Sequence, residues 1–192
     1  TGPTYGFSIR DRMSSTATMA ANSFLINCSI TDAYVHHLYL HDGWGMLLLD
    51  GCARAFVSDI LMAVYFRGCQ IGGAAGASGP VMTNILGTTA NDNAITLYCR
   101  RGLVNLSNFD FQHATAVTST LDCLIRVQPE NGEAFTESTF VGGILDGSRQ
   151  AAIAILPDAG GICFTMTFAD IMMTGGSSPD HLGVVIGALC QG

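Results

Sequence analysis

The chain has 192 residues, 23 glycines, 12% charged residues and a net charge of −7, and all eight basic residues are arginine. This length predicts a single domain with its own core. The negative charge argues against nucleic acid as a general partner, because phosphate binding needs a basic surface. No apolar run reaches the ~18 residues of a membrane-spanning helix, so we expect no membrane insertion.

A short strand-like pattern recurs along the chain. Two apolar residues flank one other residue, and a larger polar or aromatic residue follows, as in Ile95-Thr96-Leu97-Tyr98. The seven copies begin at Phe7, Leu38, Val64, Ile95, Ile125, Ile153 and Val184. Self-similarity at a spacing of 26 to 31 residues is typical of a solenoid. We therefore expect about seven coils, with Ile95 and Leu97 inside and Thr96 and Tyr98 outside.

A second pattern alternates with the first. Its form is apolar, any, Asn/Asp/Glu, apolar, any, apolar. Its third position is occupied by Asn27, Asp59, Asn84, Asn108, Glu137 and Asp170. Asn and Asp tolerate the left-handed backbone region, so this position predicts a tight bend within each coil. In stacked coils these polar side chains are expected to form a ladder.

The two patterns together predict an all-β parallel β-helix whose coils run strand, turn, strand, bend, strand. A leucine-rich repeat would need Asn or Cys and another apolar residue after the second pattern, and the sequence does not continue in that way. A β-sandwich would show turn signals every ~8–12 residues without a long repeat. Neither end carries a polar cap. We therefore expect the single domain 1–192 to be a fragment of a longer chain, or to have its ends covered by partner subunits.

These apolar pairs with an Asn-type bend resemble the right-handed, single-stranded parallel β-helix of the pectate-lyase-like superfamily. Low charge, many glycines and uncapped ends look most like the β-helical body of a bacteriophage tailspike or appendage protein. The resemblance implies a homotrimer in the virion that recognises, and in some cases depolymerises, a bacterial surface polysaccharide. The alternatives are a non-catalytic structural or adhesin solenoid, and a secreted or cell-surface polysaccharide hydrolase or lyase. The polygalacturonase signatures Asn-Thr-Asp, Gly-Asp-Asp and Arg-Ile-Lys are absent, which weighs against the last.

Candidate sugar-binding residues lie on the outward positions of the first pattern. Aromatic faces with Arg or His donors suit sugar rings, whose C–H faces stack and whose hydroxyls need partners. The predicted strip consists of Tyr39, His41, Tyr65, Arg67, Tyr98 and Arg126. The alternative is an ordinary solvated strand face, because Tyr, Thr and Arg are common there.

Candidate catalytic acids come from matching positions of neighbouring coils. Asp11 and Asp42 each lie four residues after the start of a first-pattern copy, and Glu130 is expected farther along the same edge. Glycoside hydrolysis needs two facing carboxyl groups, but Asp is common in turns, so solvated turn residues are the favoured explanation of these acids. The cluster His36, His37, His41 and Asp42 lacks a completing set of metal ligands. We therefore expect no metal or other cofactor.

The seven cysteines form no CxxC pair. Cys52, Cys69, Cys99 and Cys163 adjoin apolar positions. This placement predicts small buried side chains rather than a disulfide framework.

Overall fold

A computed structural model of the chain describes residues 7–10, 24–28, 33–41, 44–48, 55–64, 67–72, 79–89, 95–113, 123–147, 151–174 and 182–187. These residues form strands, and the described part of the chain contains no helix. The strands are β1 (Phe7–Arg10), β2 (Phe24–Cys28), β3 (Tyr34–His41), β4 (Trp44–Leu48), β5 (Phe56–Val64), β6 (Arg67–Ile71), β7 (Val81–Thr89), β8 (Ile95–Cys99), β9 (Asn105–His113), β10 (Cys123–Val127), β11 (Ala134–Asp146), β12 (Ala151–Ile155), β13 (Ile162–Thr174) and β14 (Leu182–Ile186).

The strands alternate between two seven-stranded sheets. Sheet 1 has the order β1-β3-β5-β7-β9-β11-β13, and sheet 2 has the order β2-β4-β6-β8-β10-β12-β14. The paired strands of both sheets run parallel. Each coil therefore contributes one strand to each sheet and then returns one rung farther along the stack. This arrangement confirms the predicted all-β parallel solenoid.

The core fills the space between the sheets. Its largest buried side chains include Phe111, Phe135 and Phe140, and the Phe140 ring stacks on Phe168 with 4.6 Å between centroids. Full burial of such a side chain contributes roughly 1.5–3 kcal/mol, so apolar residues at every rung stabilise the stack. The predicted buried cysteines Cys69, Cys99 and Cys163 belong to this core, whereas Cys52 lies outside the described residues. Burial, followed by the neighbouring thiols, raises the pKa of the Cys99 thiol, which keeps that thiol protonated and unreactive.

Each described sheet-1 strand from β3 to β13 bends at a residue with a left-handed backbone that faces the matching bend of its neighbours. These residues occupy one column, which we call the ladder: His37, Asp59, Asn84, Asn108, Gly142 and Asp170. The predicted bend residues Asp59, Asn84, Asn108 and Asp170 are thus confirmed.

The other two predicted ladder residues are placed differently. Asn27 lies in β2 of sheet 2, so its assignment to the ladder was wrong. Glu137 does adopt a left-handed backbone, with φ of 52°, but it faces Thr165 at a second bend present in the long strands β11 and β13. His37 and Gly142 occupy the two ladder positions instead.

The register also corrects the expected environment of Thr96. Ile125, Ile153 and Val184 pair as predicted, but their partner in β8 is Leu97 rather than Ile95. Thr96 is fully buried rather than outside. Its hydroxyl lies 3.3 Å from Thr89 Oγ1 of sheet 1, so a polar contact bridges the two sheets.

Candidate functional site

Sheet 2 brings two of the predicted binding residues, Tyr98 and Arg126, side by side. The register pairs them across β8 and β10, and Gln70 of β6 and Ala154 of β12 continue the same column. The residues before and after Tyr98 and Arg126 are buried, so strand alternation turns these two side chains toward the outer face. Adjacent strands lie about 4.8 Å apart, which allows one ligand to contact both.

A polar network surrounds Tyr98. Its hydroxyl donates to Gln128 Oε1 at 3.4 Å, and Gln128 Nε2 donates to Asp158 Oδ1 at 2.9 Å. The guanidinium carbon of Arg100 lies 5.8 Å from the Tyr98 ring centroid, within the range of a cation–π contact. We call Tyr98, Arg100, Arg126, Gln128 and Asp158 the Tyr98 surface. It combines an aromatic face with cationic, amide and acidic groups.

Two stacked turns position the acidic end of the Tyr98 surface. Gly132 and Gly160 have φ angles of 80° and 85°, which glycine adopts without strain. The Gly132 amide donates to the Gly160 carbonyl at 3.1 Å, and the Asp158 amide donates to the Pro129 carbonyl at 3.0 Å. Main-chain bonds between consecutive turns therefore fix Asp158 beside Gln128.

The predicted catalytic residue Glu130 forms an ion pair with Arg100. It follows β10 of sheet 2, whereas Asp11 and Asp42 follow β1 and β3 of sheet 1. The strands that precede these acids therefore belong to different sheets, and the expected common edge stays a prediction. Asp11 and Asp42 themselves lie outside the described residues, and a catalytic role for any of the three stays a prediction.

The predicted strip of binding residues is divided in the same way. Tyr39 and His41 lie in β3 of sheet 1, where their rings stack with 4.7 Å between centroids. Arg67 begins β6 of sheet 2 and pairs with Ile95, and Tyr65 lies outside the described residues. A single continuous strip is therefore wrong, because strands of both sheets share the alternation of apolar residues on which the strip was aligned.

Hydrogen bonds connect the ladder from one rung to the next. Asn84 Nδ2 donates to Asp59 Oδ1 at 2.9 Å, and Asn108 Nδ2 donates to Asn84 Oδ1. Ser58 Oγ donates to Asp59 Oδ2 at 2.9 Å, and His37 Nε2 lies 3.9 Å from the same oxygen. The bond from Asn84, followed by that from Ser58, lowers the pKa of Asp59 below its usual 3.8, because both stabilise the carboxylate.

The ladder is interrupted where Gly142 has no side chain. A surface cavity of about 360 Å³ lies at this position. Its walls include Leu86, Asn108, Asp110, Gly142, Ile144 and Asp170, and we call this cavity the ladder gap. Beneath it, a β-carbon at Gly143 would overlap the ring of Phe109, so the neighbouring glycine is needed for core packing.

The sequence carried a signal for the ladder gap that the second pattern overlooked. Phe140-Val141-Gly142-Gly143-Ile144-Leu145 resembles that pattern with glycine at its bend position. The second pattern requires a polar residue at its bend position, so its fifth copy starts at Phe135, which precedes Glu137, rather than at Phe140. The register instead pairs Phe140 with Leu106.

The chain matches no protein-family model, and comparison with curated proteins and with solved structures gives no match. Among the described residues, no group of three or more His, Cys, Asp or Glu is arranged to hold a metal ion. The described part also includes no helix long and apolar enough to cross a membrane.

Proposed function

We propose that the protein is a bacteriophage tailspike-type β-helix that recognises a bacterial surface polysaccharide. The supporting observation is the Tyr98 surface, which places Tyr98, Arg100 and Arg126 next to the amide and carboxylate of Gln128 and Asp158. A sugar chain offers C–H faces that pack on aromatic rings and hydroxyls that bond to such groups. A stack of coils also suits a chain-like ligand, because it extends the surface along its axis.

Recognition is the activity that the Tyr98 surface itself supports. Glycoside hydrolysis requires two carboxyl groups on one bond, roughly 5–5.5 Å or 6.5–9.5 Å apart. The two carboxylates near this surface already have protein partners, because Glu130 pairs with Arg100 and Asp158 accepts from Gln128. Depolymerisation would therefore depend on Asp11 and Asp42, which lie outside the described residues.

A structural or adhesin solenoid is the second candidate. The ladder favours it, because side chains that bond each other from rung to rung stiffen the stack without facing a ligand. In that case the network around Tyr98 would serve only to hold consecutive coils together.

The tailspike proposal includes a homotrimer in the virion. An apolar pair on sheet 1 supports subunit contact: Tyr34 is 73% exposed, Phe56 is 46% exposed, and their rings stack with 5.3 Å between centroids. Light scattering should give three times the mass of one chain. A monomeric wild-type protein would remove the trimer from the proposal.

Binding to immobilised bacterial surface polysaccharides tests the recognition proposal. We expect Tyr98→Ala and Arg126→Ala each to weaken binding at least tenfold. The control is Tyr39→Ala, which makes the matched tyrosine change on sheet 1. Loss with Tyr39→Ala alone would move the site to sheet 1. Binding to none of the polysaccharides would leave the structural solenoid as the better description.

Depolymerisation is followed in the same samples. New reducing ends or unsaturated sugars that disappear in Asp11→Asn or Asp42→Asn would add catalysis to recognition. Binding without such products would restrict the protein to recognition.

A further inference from the structure

We propose that the ladder gap is a subsite for one uncharged pyranose ring of the recognised polysaccharide. This inference rests on the proposed function and adds a second contact point, on sheet 1, with its own sugar preference. The volume of about 360 Å³ lies within the ~300–1,000 Å³ of small-molecule pockets.

The polar groups of the gap come from the two ends of the interrupted ladder. Asn108 uses its Nδ2 to donate to Asn84, which leaves its Oδ1 as the acceptor at the cavity. Asp170 occupies the ladder position two rungs farther on, about 10 Å away at the usual strand spacing. Gly142 lies between them, where a side chain would otherwise continue the ladder. The gap thus offers acceptors on opposite sides, as the hydroxyls of one ring require.

The remaining walls fit the other features of a sugar ring. Leu86 and Ile144 are 41% and 36% exposed and give the cavity an apolar side, against which a C–H face can pack. The Asp110 carboxylate is oriented by Gln112 Nε2, which lies 3.0 and 3.1 Å from its two oxygens. A carboxylate with a fixed direction is a better acceptor for a hydroxyl, because less freedom is lost on binding.

The charge of the gap selects among sugars. Asp110 and Asp170 line it, and a uronic acid would bring a third negative charge beside them, which costs binding energy. A shared divalent cation has few ligands here, because Ca²⁺ takes about 6–8 oxygen ligands and no group of three or more His, Cys, Asp or Glu among the described residues is arranged to hold a metal ion. The gap therefore differs from the Tyr98 surface, where Arg100 and Arg126 tolerate an acidic sugar.

The test fills the gap without disturbing the bend. Gly142 has φ of 66°, and Asn84 and Asn108 already occupy the same column with φ of 54° and 49°, so Gly142→Asn suits the backbone and continues the ladder. Gly147→Asn is the matched control, because Gly147 has φ of 80°, lies outside the gap, and a β-carbon there would be 3.4 Å from its nearest neighbour, the His113 carbonyl oxygen.

Saturation-transfer NMR of the full chain with methyl β-glucoside, methyl β-galactoside and methyl β-glucuronide measures the subsite. We expect at least one neutral glycoside to bind wild type and Gly147→Asn, and we expect the glucuronide to bind at least tenfold more weakly. Gly142→Asn should lose the neutral signal. No neutral signal in wild type, or an equal signal in Gly142→Asn, would overturn the inference.

The two proposals fail separately. If Tyr98→Ala abolishes polysaccharide binding but neither neutral glycoside gives a saturation-transfer signal with wild type, recognition stands and the subsite is wrong. If the neutral glycosides bind in the gap but no polysaccharide is retained, the subsite stands and the proposed recognition is wrong.

Discussion

The ladder in sheet 1 and the Tyr98 surface in sheet 2 are both columns of polar side chains on stacked parallel strands, but they differ in backbone and partners. In the ladder, Asp59, Asn84 and Asn108 adopt left-handed backbones and bond one another along the stack axis. In the Tyr98 surface, Tyr98 and Arg126 are paired on neighbouring strands without a left-handed backbone, and their side chains differ in chemical type.

This difference suggests that the bonded ladder residues mainly stabilise the fold, whereas the Tyr98 surface mainly serves binding. A ladder position must accept a backbone that costs most residues about 1–2 kcal/mol and must also supply a matching hydrogen bond. A position on the Tyr98 surface has no such backbone requirement, and the Tyr98 side chain is only half-buried. Substitutions of the bonded ladder residues Asp59, Asn84 and Asn108 should therefore lower stability, whereas substitutions on the Tyr98 surface should alter binding with little change in stability.

The largest effect is expected for Asn84→Ala. This change removes the bonds to Asp59 and Asn108, at roughly 0.5–1.5 kcal/mol each, and places alanine in a left-handed backbone, at about 1–2 kcal/mol. We expect the free energy of unfolding in urea to fall by about 2–5 kcal/mol.

Asn84→Gly is the control that separates the two causes. Glycine adopts the left-handed backbone freely, so this variant loses the hydrogen bonds without the backbone cost. We expect it to lose about 1–2 kcal/mol less than Asn84→Ala. Equal losses in the two variants would show that backbone strain does not distinguish the ladder from the Tyr98 surface.

The sequence was sufficient for the solenoid and for most of the ladder. Asp59, Asn84 and Asn108 were identifiable because Asn and Asp in a break of the apolar alternation have few other structural uses. Asn27 satisfied the same template although β2 belongs to sheet 2. Strands of both sheets place apolar residues two apart into one core, as Leu97 and Cys99 do in sheet 2 and Phe109 and Phe111 do in sheet 1, so local pattern does not reveal which sheet a strand joins.

The candidate sites were less predictable, because they depend on register between coils. The repeating pattern aligns Arg126 with Thr96, whereas the structure pairs Arg126 with Tyr98. The two alignments differ by two residues, which is the period of the apolar alternation. Both alignments therefore satisfy the pattern equally well. The ladder gap was missed because it arises from a missing side chain at Gly142, whereas the pattern searched for polar residues.

An intermediate effect on stability is expected when the Asp59 carboxylate is protonated at low pH. Its folded pKa lies below 3.8, so the ionised carboxylate stabilises the ladder above that pH, and this contribution is lost as pH falls through the lower folded pKa. His36 and His37, whose positive charge when protonated favours the same ionised form, act in the same direction.

Asp59→Asn isolates this contribution, because asparagine keeps the left-handed backbone and an acceptor for Asn84. Urea unfolding of wild type and Asp59→Asn at pH 7 and pH 3 measures it. We expect wild type to be the more stable at pH 7, with the difference shrinking at pH 3. A difference that grows at pH 3 would reverse the assigned direction of the pKa shift.

The smallest effect on stability is expected from Glu130→Gln beside the Tyr98 surface. Its side chain is 46% exposed and pairs with Arg100, which is 19% exposed, and such pairs near solvent contribute about 0–1 kcal/mol. We therefore expect the urea midpoint of Glu130→Gln to stay close to that of wild type. Polysaccharide binding should change more than stability, because Arg100 loses the charge that holds it near the Tyr98 ring. A stability loss as large as that of Asn84→Ala, with binding unchanged, would mean that both columns serve the stack and that the contrast between them is wrong.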